Sequence, residues 1–283
     1  MAHNEALQFE KKLRIGAIRY FNSRPLIHGL AGRADVLLSR DVPSKLAAAL
    51  DNGQIDVGLV PGIDYQRSRS DWWILPAGVV SSSGEVLTVR VFSRCRMDEV
   101  QVLACDSDSH CSAALAQIIW QKRYRYRPRF TTLLYDAGRK LEVGDKTAAL
   151  LIGDKVLSQL GDWPYELDLG QAWGELTGLP FVYAIWAVKD KTNADYIAEV
   201  LREACENGIA NITDIARDYG SEHGFTTEQA ASYLRNNIGH RFGPSQQKGL
   251  QRFYELALEY GLIDKLKPLR IFHSSNSLAM GVL

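Results

Sequence analysis

Apolar and β-branched runs recur through the first two thirds of the chain, most of them closed by glycine, proline or a polar cluster: LRIGAIRY, DVLLSR, IDVGLVP, VLTVRVFS, VQVLACD, RFTTLLY, TAALLIG and FVYAIWAVK. Their shortness and composition predict strands. Segments of helical period lie between them. PSKLAAALDNG, from Pro43 to Gly53, has proline near its start and Asn52-Gly53 at its end, which are the start and stop signals of a helix. The strand from Ile55 to Pro61 follows at once. Strand, helix and strand in so few residues imply a right-handed crossover in a mainly parallel sheet with helices on its faces. Ligands of such sheets sit at the carboxyl ends of the strands.

From about Asn193 the texture changes. ADYIAEVLREACENGIANITDIARDYG, TTEQAASYLRNNI and PSQQKGLQRFYELALEYGLI repeat apolar residues at three and four, the mark of amphipathic helices. An α/β middle and a helical end fit two α/β lobes, with the last helices packed back on the first. No internal repeat or low-complexity linker interrupts the chain. Trp72-Trp73 opens an apolar strand and reads as core, and KRYRYRPR, Lys122 to Arg129, reads as a basic, aromatic surface stretch. The tail IFHSSNSLAMGVL is predicted to be poorly ordered, its last apolar residues free to dock.

Composition narrows the function classes. With 283 residues, 46% apolar and 23% charged, the chain is globular and large enough for one or two cores. Lys plus Arg and Asp plus Glu balance at 33 each, so neither a nucleic-acid tract nor a membrane-surface patch is indicated, and the expected partner is a small molecule. MAHNEALQFEKKLRIGAIRY offers no apolar leader, and no later run of about 18 apolar residues suits a bilayer. A cytoplasmic location with reduced thiols is expected. Cys95, Cys105, Cys111 and Cys205 form no Cys-x-x-Cys pair and the six histidines are scattered, so no metal is predicted.

The candidate chemistry lies where the strands end. Asn22-Ser23 follows the first, within YFNSRPL; Ser81-Ser82-Ser83-Gly84 precedes the strand from Val86, which contains Thr88. Ser107, Ser109, His110, Cys111 and Ser112 precede or open a helix, and Gly153-Asp154 follows TAALLIG. A helix start offers unpaired amides of positive partial charge, and hydroxyls add donors; together they suit a carboxylate or phosphate. Serine, threonine and aspartate there are also ordinary caps. Asn22-Ser23 before Pro25 fits turn chemistry equally well, and a lone histidine such as His110 is commonly a solvated or capping group.

The order of these pieces carries a resemblance. IGAIRYFNSRPL, VPSKLAAALDNGQIDVGLVPGIDY, SSSGEVLTVRVFS, AALLIGDKVL and DLGQAWGELTGLPFVYAIWAVK together resemble chorismate dehydratase, the first enzyme of the futalosine route to menaquinone, from about Leu13 to Lys189. The resemblance implies a fold like type II periplasmic binding proteins: two α/β lobes, a cleft between them, and crossings near Arg96 and Val188. Lobe 1 then holds residues 1–96, lobe 2 residues 97–187, and 188–283 returns to lobe 1. It implies that Asn22 and Thr88 reach into the cleft and that the helix start at Ser109, Cys111 and Ser112 is an anion site; Asn22 and Thr88 are accordingly expected to be catalytic, and Ser23, Ser82, Ser83, Ser109, His110, Cys111, Ser112, Gly153 and Asp154 to bind substrate. No cofactor is expected, and the protein is expected to be a monomer or homodimer. Thr88 stands where the family usually has serine, and Cys111 where it usually has threonine.

The implied reaction removes the 4-hydroxyl of chorismate and the neighbouring ring hydrogen to give 3-[(1-carboxyvinyl)oxy]benzoate. The strand ends supply neutral donors and no obvious base, so the substrate's own enolpyruvyl carboxylate is expected to serve. The rivals are a non-catalytic anion-binding protein or sensor on the same fold, a paralogue acting on another enolpyruvyl or aromatic acid, and dihydroxynaphthoate synthase. The last typically opens with Ser-Pro-Cys-Pro-Asn-Asp where this chain reads Tyr-Phe-Asn-Ser-Arg-Pro.

Overall fold

Two five-stranded sheets organise the protein in a computed structural model that describes residues 12–135 and 141–273. In chain order the strands are β1 (Leu13–Ile18), β2 (Val36–Asp41), β3 (Val57–Pro61), β4 (Trp73–Ser82), β5 (Val89–Ser93), β6 (Val102–Asp106), β7 (Arg129–Leu133), β8 (Thr147–Ile152), β9 (Tyr165–Asp168) and β10 (Phe181–Val188). The first sheet runs β2-β1-β3-β10-β4 and the second β7-β6-β8-β5-β9. Each has a parallel half and two antiparallel pairings, made by β10 in the first sheet and β5 in the second.

The helices are α1 (Pro43–Asp51), α2 (Gly62–Arg67), α3 (His110–Ile119), α4 (Leu169–Thr177), α5 (Ala194–Ala210), α6 (Ile212–Tyr219), α7 (Thr227–Ser232) and α8 (Pro244–Glu259). The end signals read from the sequence operate as expected in α1. Proline opens it, Asn52 caps it, and Gly53 takes a φ of 69° beyond the cap. The long helical stretch after Asn193 breaks at Asn211 into α5 and α6. Thr226 and Gln229 close a capping box on α7, which then widens into a π turn, Tyr233–Asn237. Trp72 is core, its indole donating to Asp51 at 3.0 Å.

The crossings between sheets differ from the sequence expectation. The chain passes from β4 to β5 through Gly84–Thr88 and returns between Asp168 and Phe181, rather than near Arg96 and Val188. β5 thus belongs to the second sheet and β10 to the first, so the strands divide within 83–88 and 169–180 instead of at 96/97 and 187/188. Both strands are almost wholly buried, and a buried apolar run fits the middle of either sheet equally well. β9 carries no apolar run at all. As an edge strand it is short and polar, and only Asp168 of its four residues is buried.

Asp168 anchors both crossings. Its carboxylate accepts from the amides of Val86 at 3.1 Å and Leu87 at 2.8 Å, and caps α4 through the amide of Gln171 at 3.0 Å. Arg90 adds a contact at 3.4 Å. Leu87 is held at a φ of 67°, a conformation uncommon for a residue with a side chain.

Among the described residues no helix is long and apolar enough to cross a membrane. The amino-terminal leader reading at 1–11 and most of the tail reading, 274–283, lie outside the described residues. Ile271 bridges to Ile74, and the amide of Phe272 donates to the Ile74 carbonyl at 2.8 Å, so the start of that segment extends the edge of the first sheet.

Candidate active site

YFNSRPL leaves β1 and coils at once into a tight 3-10 turn, Phe21–Ile27. Ser23 closes that turn from within: its fully buried hydroxyl reaches the carbonyl of Ile18 and, at 2.9 Å, that of Tyr20. The hydroxyl of Ser23 is thus engaged within the turn. α5 presses on the turn through Gly208, where a Cβ would lie 2.0 Å from the carbonyl oxygen of Pro25. Only glycine permits that approach.

Asn22 consequently stands at the wall of a cavity between the sheets. The same cavity is lined by Ser109, His110, Cys111 and Ser112 from the start of α3, by Gly153 after β8, and by Tyr20, Asp108 and Tyr183. Its volume is about 50 Å³, well below the ~300–1,000 Å³ of a small-molecule pocket. A groove of about 750 Å³ beside Arg14, Lys189 and Tyr196 is larger, but it lies at the amino end of β1, where a parallel sheet offers no convergent donors.

Two buried polar atoms of this cavity have no hydrogen-bond partner: Oδ1 of Asn22, from the first lobe, and Oγ of Ser109, from the second. Buried polar atoms are seldom left so. Ser109 is also the residue before α3, and its side chain does not cap the helix. The first amides of α3, with their positive partial charge, remain available to an anion.

The lobes are linked around the cavity by specific contacts. His110 Nδ1 lies 2.8 Å from Oδ2 of buried Asp64 on α2. The Tyr20 hydroxyl donates to Asp108 at 3.1 Å; burial and that carboxylate push the phenol far above its ordinary range, so it remains the donor. Asp154 accepts from the amide of Phe21 at 3.2 Å and meets His223 Nδ1 at 2.6 Å. Burial pushes the carboxyl of Asp106 up, against the pull of Lys155 at 2.6 Å, and the same side chain receives the amides of Asp108 and Ile152. This fixes the turn that delivers Ser109.

The remaining sequence candidates are placed as follows. Thr88 is fully buried behind the cavity wall, its hydroxyl 2.7 Å from that of Tyr233. Ser82 is buried and shares a 3.3 Å hydrogen bond with the Tyr183 hydroxyl, and Ser83 is exposed at the surface. Cys111 packs its thiol 3.8 Å from the carbonyl of Val182. Sequence reasoning missed Tyr20, Asp64, Asp108, Tyr183, His223 and Tyr233. Tyr20 and Asp108 adjoin residues it had chosen; the others come from distant segments and carry no local signal. Among the described residues no group of three or more His, Cys, Asp or Glu could hold a metal.

Comparison with known proteins agrees with this architecture. The periplasmic aliphatic sulphonate binding protein SsuA of Escherichia coli superposes with a TM-score of 0.63 at 17% identity, over 92% of this chain and 96% of its own; two lobes around a cleft are thus a periplasmic-binding-protein-like fold. The chorismate dehydratase of Thermus thermophilus is 26% identical over 257 residues, covering 85% of this chain and 93% of that protein. That of Campylobacter jejuni is 26% identical over 235 residues, covering 83% and 88%. Residues 13–259, from the first strand to the end of α8, match the family described as menaquinone biosynthesis, and the chain belongs to that family.

Proposed function

We propose that this protein is a chorismate dehydratase, a hydro-lyase that converts chorismate to 3-[(1-carboxyvinyl)oxy]benzoate and water in the futalosine route to menaquinone, acting in the cytoplasm. The observation that carries the reading is the pair of unpartnered buried atoms, Asn22 Oδ1 and Ser109 Oγ, whose residues line one cavity with the start of α3. A substrate with two carboxylates and a hydroxyl has acceptors for the α3 amides and the Ser109 hydroxyl, and a donor for the Asn22 carbonyl. The two curated relatives named chorismate dehydratase support the same substrate.

In chorismate the ether oxygen on C3 and the hydroxyl on C4 are trans, so the C3 hydrogen and the leaving hydroxyl share one face of the ring. The enolpyruvyl carboxylate reaches over that face, takes the C3 proton and passes it to the departing hydroxide; the C3–H electron pair becomes the new ring double bond. Water leaves, and the ring becomes aromatic. The protein's part is to restrict the rotors of the enolpyruvyl arm, which can supply several orders of magnitude, and to stabilise the departing oxygen. Asn22 and Thr88 orient the arm and polarise the hydroxyl in this reading.

One observation favours a second reading. His110 lines the cavity with Nδ1 against Asp64, and Asp64 accepting from that nitrogen leaves Nε2 as an acceptor, as in a protein base. Turnover of chorismate, followed by chromatography for wild type, Asn22→Ala, His110→Ala and Asp154→Asn, separates the two. Loss in Asn22→Ala with turnover kept in His110→Ala supports the substrate carboxylate as base. Full turnover in Asn22→Ala with abolition in His110→Ala or Asp154→Asn removes it. Saturable binding without turnover by the wild type makes the protein a receptor on this fold.

A further inference from the structure

We infer that Asp154 and His223 are positioning residues of this site: from outside the cavity they pin the backbone that carries Asn22, so that a carboxylate following the second sheet sets where a side chain following the first sheet stands. The inference rests on the reading that Asn22 serves the reaction.

The backbone around Asn22 is tied on both sides. Ahead of it, the amide of Phe21 donates to the Asp154 carboxylate, 3.2 Å from Oδ1 and 3.3 Å from Oδ2. Behind it, the carbonyl oxygen of Asn22 lies 3.1 Å from Nε2 of buried His240; a carbonyl only accepts, so that nitrogen donates. Between the two ties the side chain lines the cavity with Oδ1 unpartnered. An unpaired polar group on a backbone held from both directions is preorganised for a ligand.

Asp154 and His223 come to this backbone from distant parts of the chain. Asp154 follows β8 of the second sheet, and His223 ends the short turn Ser221–His223 between α6 and α7. Neither is among the residues that line the cavity; both lie on an outer groove of about 470 Å³. Their effect on the reaction therefore runs through what they hold, the Phe21 amide and the turn that begins there.

The partners of His223 assign its proton. Nδ1 is 2.6 Å from Asp154 Oδ2, and Nε2 is 3.4 Å from the Arg24 guanidinium. A carboxylate accepts and a guanidinium donates, so Nδ1 carries the proton and Nε2 is the acceptor. Asp154 thus receives two donors, the Phe21 amide and the His223 ring, and the second fixes the carboxylate that holds the first. Arg24 belongs to the same turn as Asn22 and lies over the Tyr219 ring at 4.2 Å. The His223 ring also packs on Phe21, 5.3 Å between centroids, so the cluster closes on the turn that it positions.

The test is steady-state kinetics on chorismate with wild type, His223→Phe, His223→Asn and Trp72→Phe, with a thermal melt of each. His223→Phe keeps a ring against Phe21 and loses the donor to Asp154; His223→Asn keeps a donor near the place of Nδ1 and loses the ring. Trp72→Phe removes a hydrogen bond of the core outside the cavity. His223→Phe is expected to lower kcat at least tenfold with KM within threefold of wild type, and His223→Asn to recover at least threefold of that loss. Trp72→Phe is expected to lower the melt and leave kcat within threefold. A His223→Phe kcat within tenfold of wild type, a loss carried by KM, a recovery under threefold in His223→Asn, or a kcat loss beyond threefold in Trp72→Phe overturns the inference and leaves the dehydratase reading standing. If His223→Phe does not fold, Asp154→Ala takes its place: a kcat loss of at least tenfold at unchanged KM supports the inference, and a smaller loss overturns it. A wild type without turnover, or full turnover in Asn22→Ala, overturns the reading of Asn22 and this inference together.

Discussion

Gly153 lies directly beneath the ring of Tyr20: a Cβ at that position would be 2.6 Å from the Tyr20 Cδ1 atom. Its φ of 71° and ψ of −161° fall in a region open in practice to glycine alone. Gly153→Ala is therefore expected to cost about 2 kcal/mol, push Tyr20 off the cavity wall, and lower turnover more than tenfold. Gly161 is the comparison, with a φ of 81° and no atom within 4 Å of its would-be Cβ. Gly161→Ala should lose stability alone. Thermal melts and kinetics of the two variants check this, and equal loss of turnover in both would show that the position of Tyr20 on the cavity wall does not affect turnover.

His240 gives the fold a pH dependence. Burial pushes its imidazole down from 6.5 to about 4, and Nε2 is 3.1 Å from the carbonyl oxygen of Asn22. The folded protein therefore holds the ring neutral while the unfolded chain protonates it near 6.5. The stabilisation is full above that value and is lost as pH falls toward 4. Between about pH 7.5 and 5 the loss is about 2 kcal/mol. Urea unfolding of wild type and His240→Gln at both pH values should show this as a difference in slope; parallel slopes would rule it out.

Thiol reactivity should follow burial. Cys105, Cys111 and Cys205 are buried and burial pushes each thiol up to about 12, whereas Cys95 is partly exposed. An aromatic disulfide reagent near neutral pH should label Cys95 first in the native protein and the other three only on unfolding. Peptide mapping decides it, and early labelling of Cys111 would mean that the cavity is open to reagents.

Removing the Asp168 carboxylate leaves three backbone amides and Arg90 without their shared acceptor. Asp168→Ala should cost about 3 kcal/mol or more, and Asp168→Asn, which keeps one acceptor oxygen, distinctly less. Denaturant unfolding measures both; an Ala variant as stable as wild type would show the crossings to be held by other contacts.

Most of the fold was legible in the sequence because its strands are short apolar runs and α1 carries both end signals. The crossings were not, since GEVLT reads as the start of a strand and no change of period marks where the chain leaves the first sheet. β9 failed for the reason edge strands usually do: Tyr165, Glu166 and Leu167 are not buried. Within the site, the residues chosen from strand ends and helix starts converge where they share a segment, as Ser109 to Ser112 do. Ser23 bonds within its own turn, a use of the hydroxyl that has the same local sequence as one that faces a ligand. Asp64, His223 and Tyr233 meet their partners only through the tertiary fold, 46, 69 and 145 residues away.

The single carboxylate that joins both crossings also limits how the molecule can move. With Val86, Leu87 and the first turn of α4 pinned to one side chain, the two connecting passages are tied to each other at Asp168, and a displacement of either one is passed to the other.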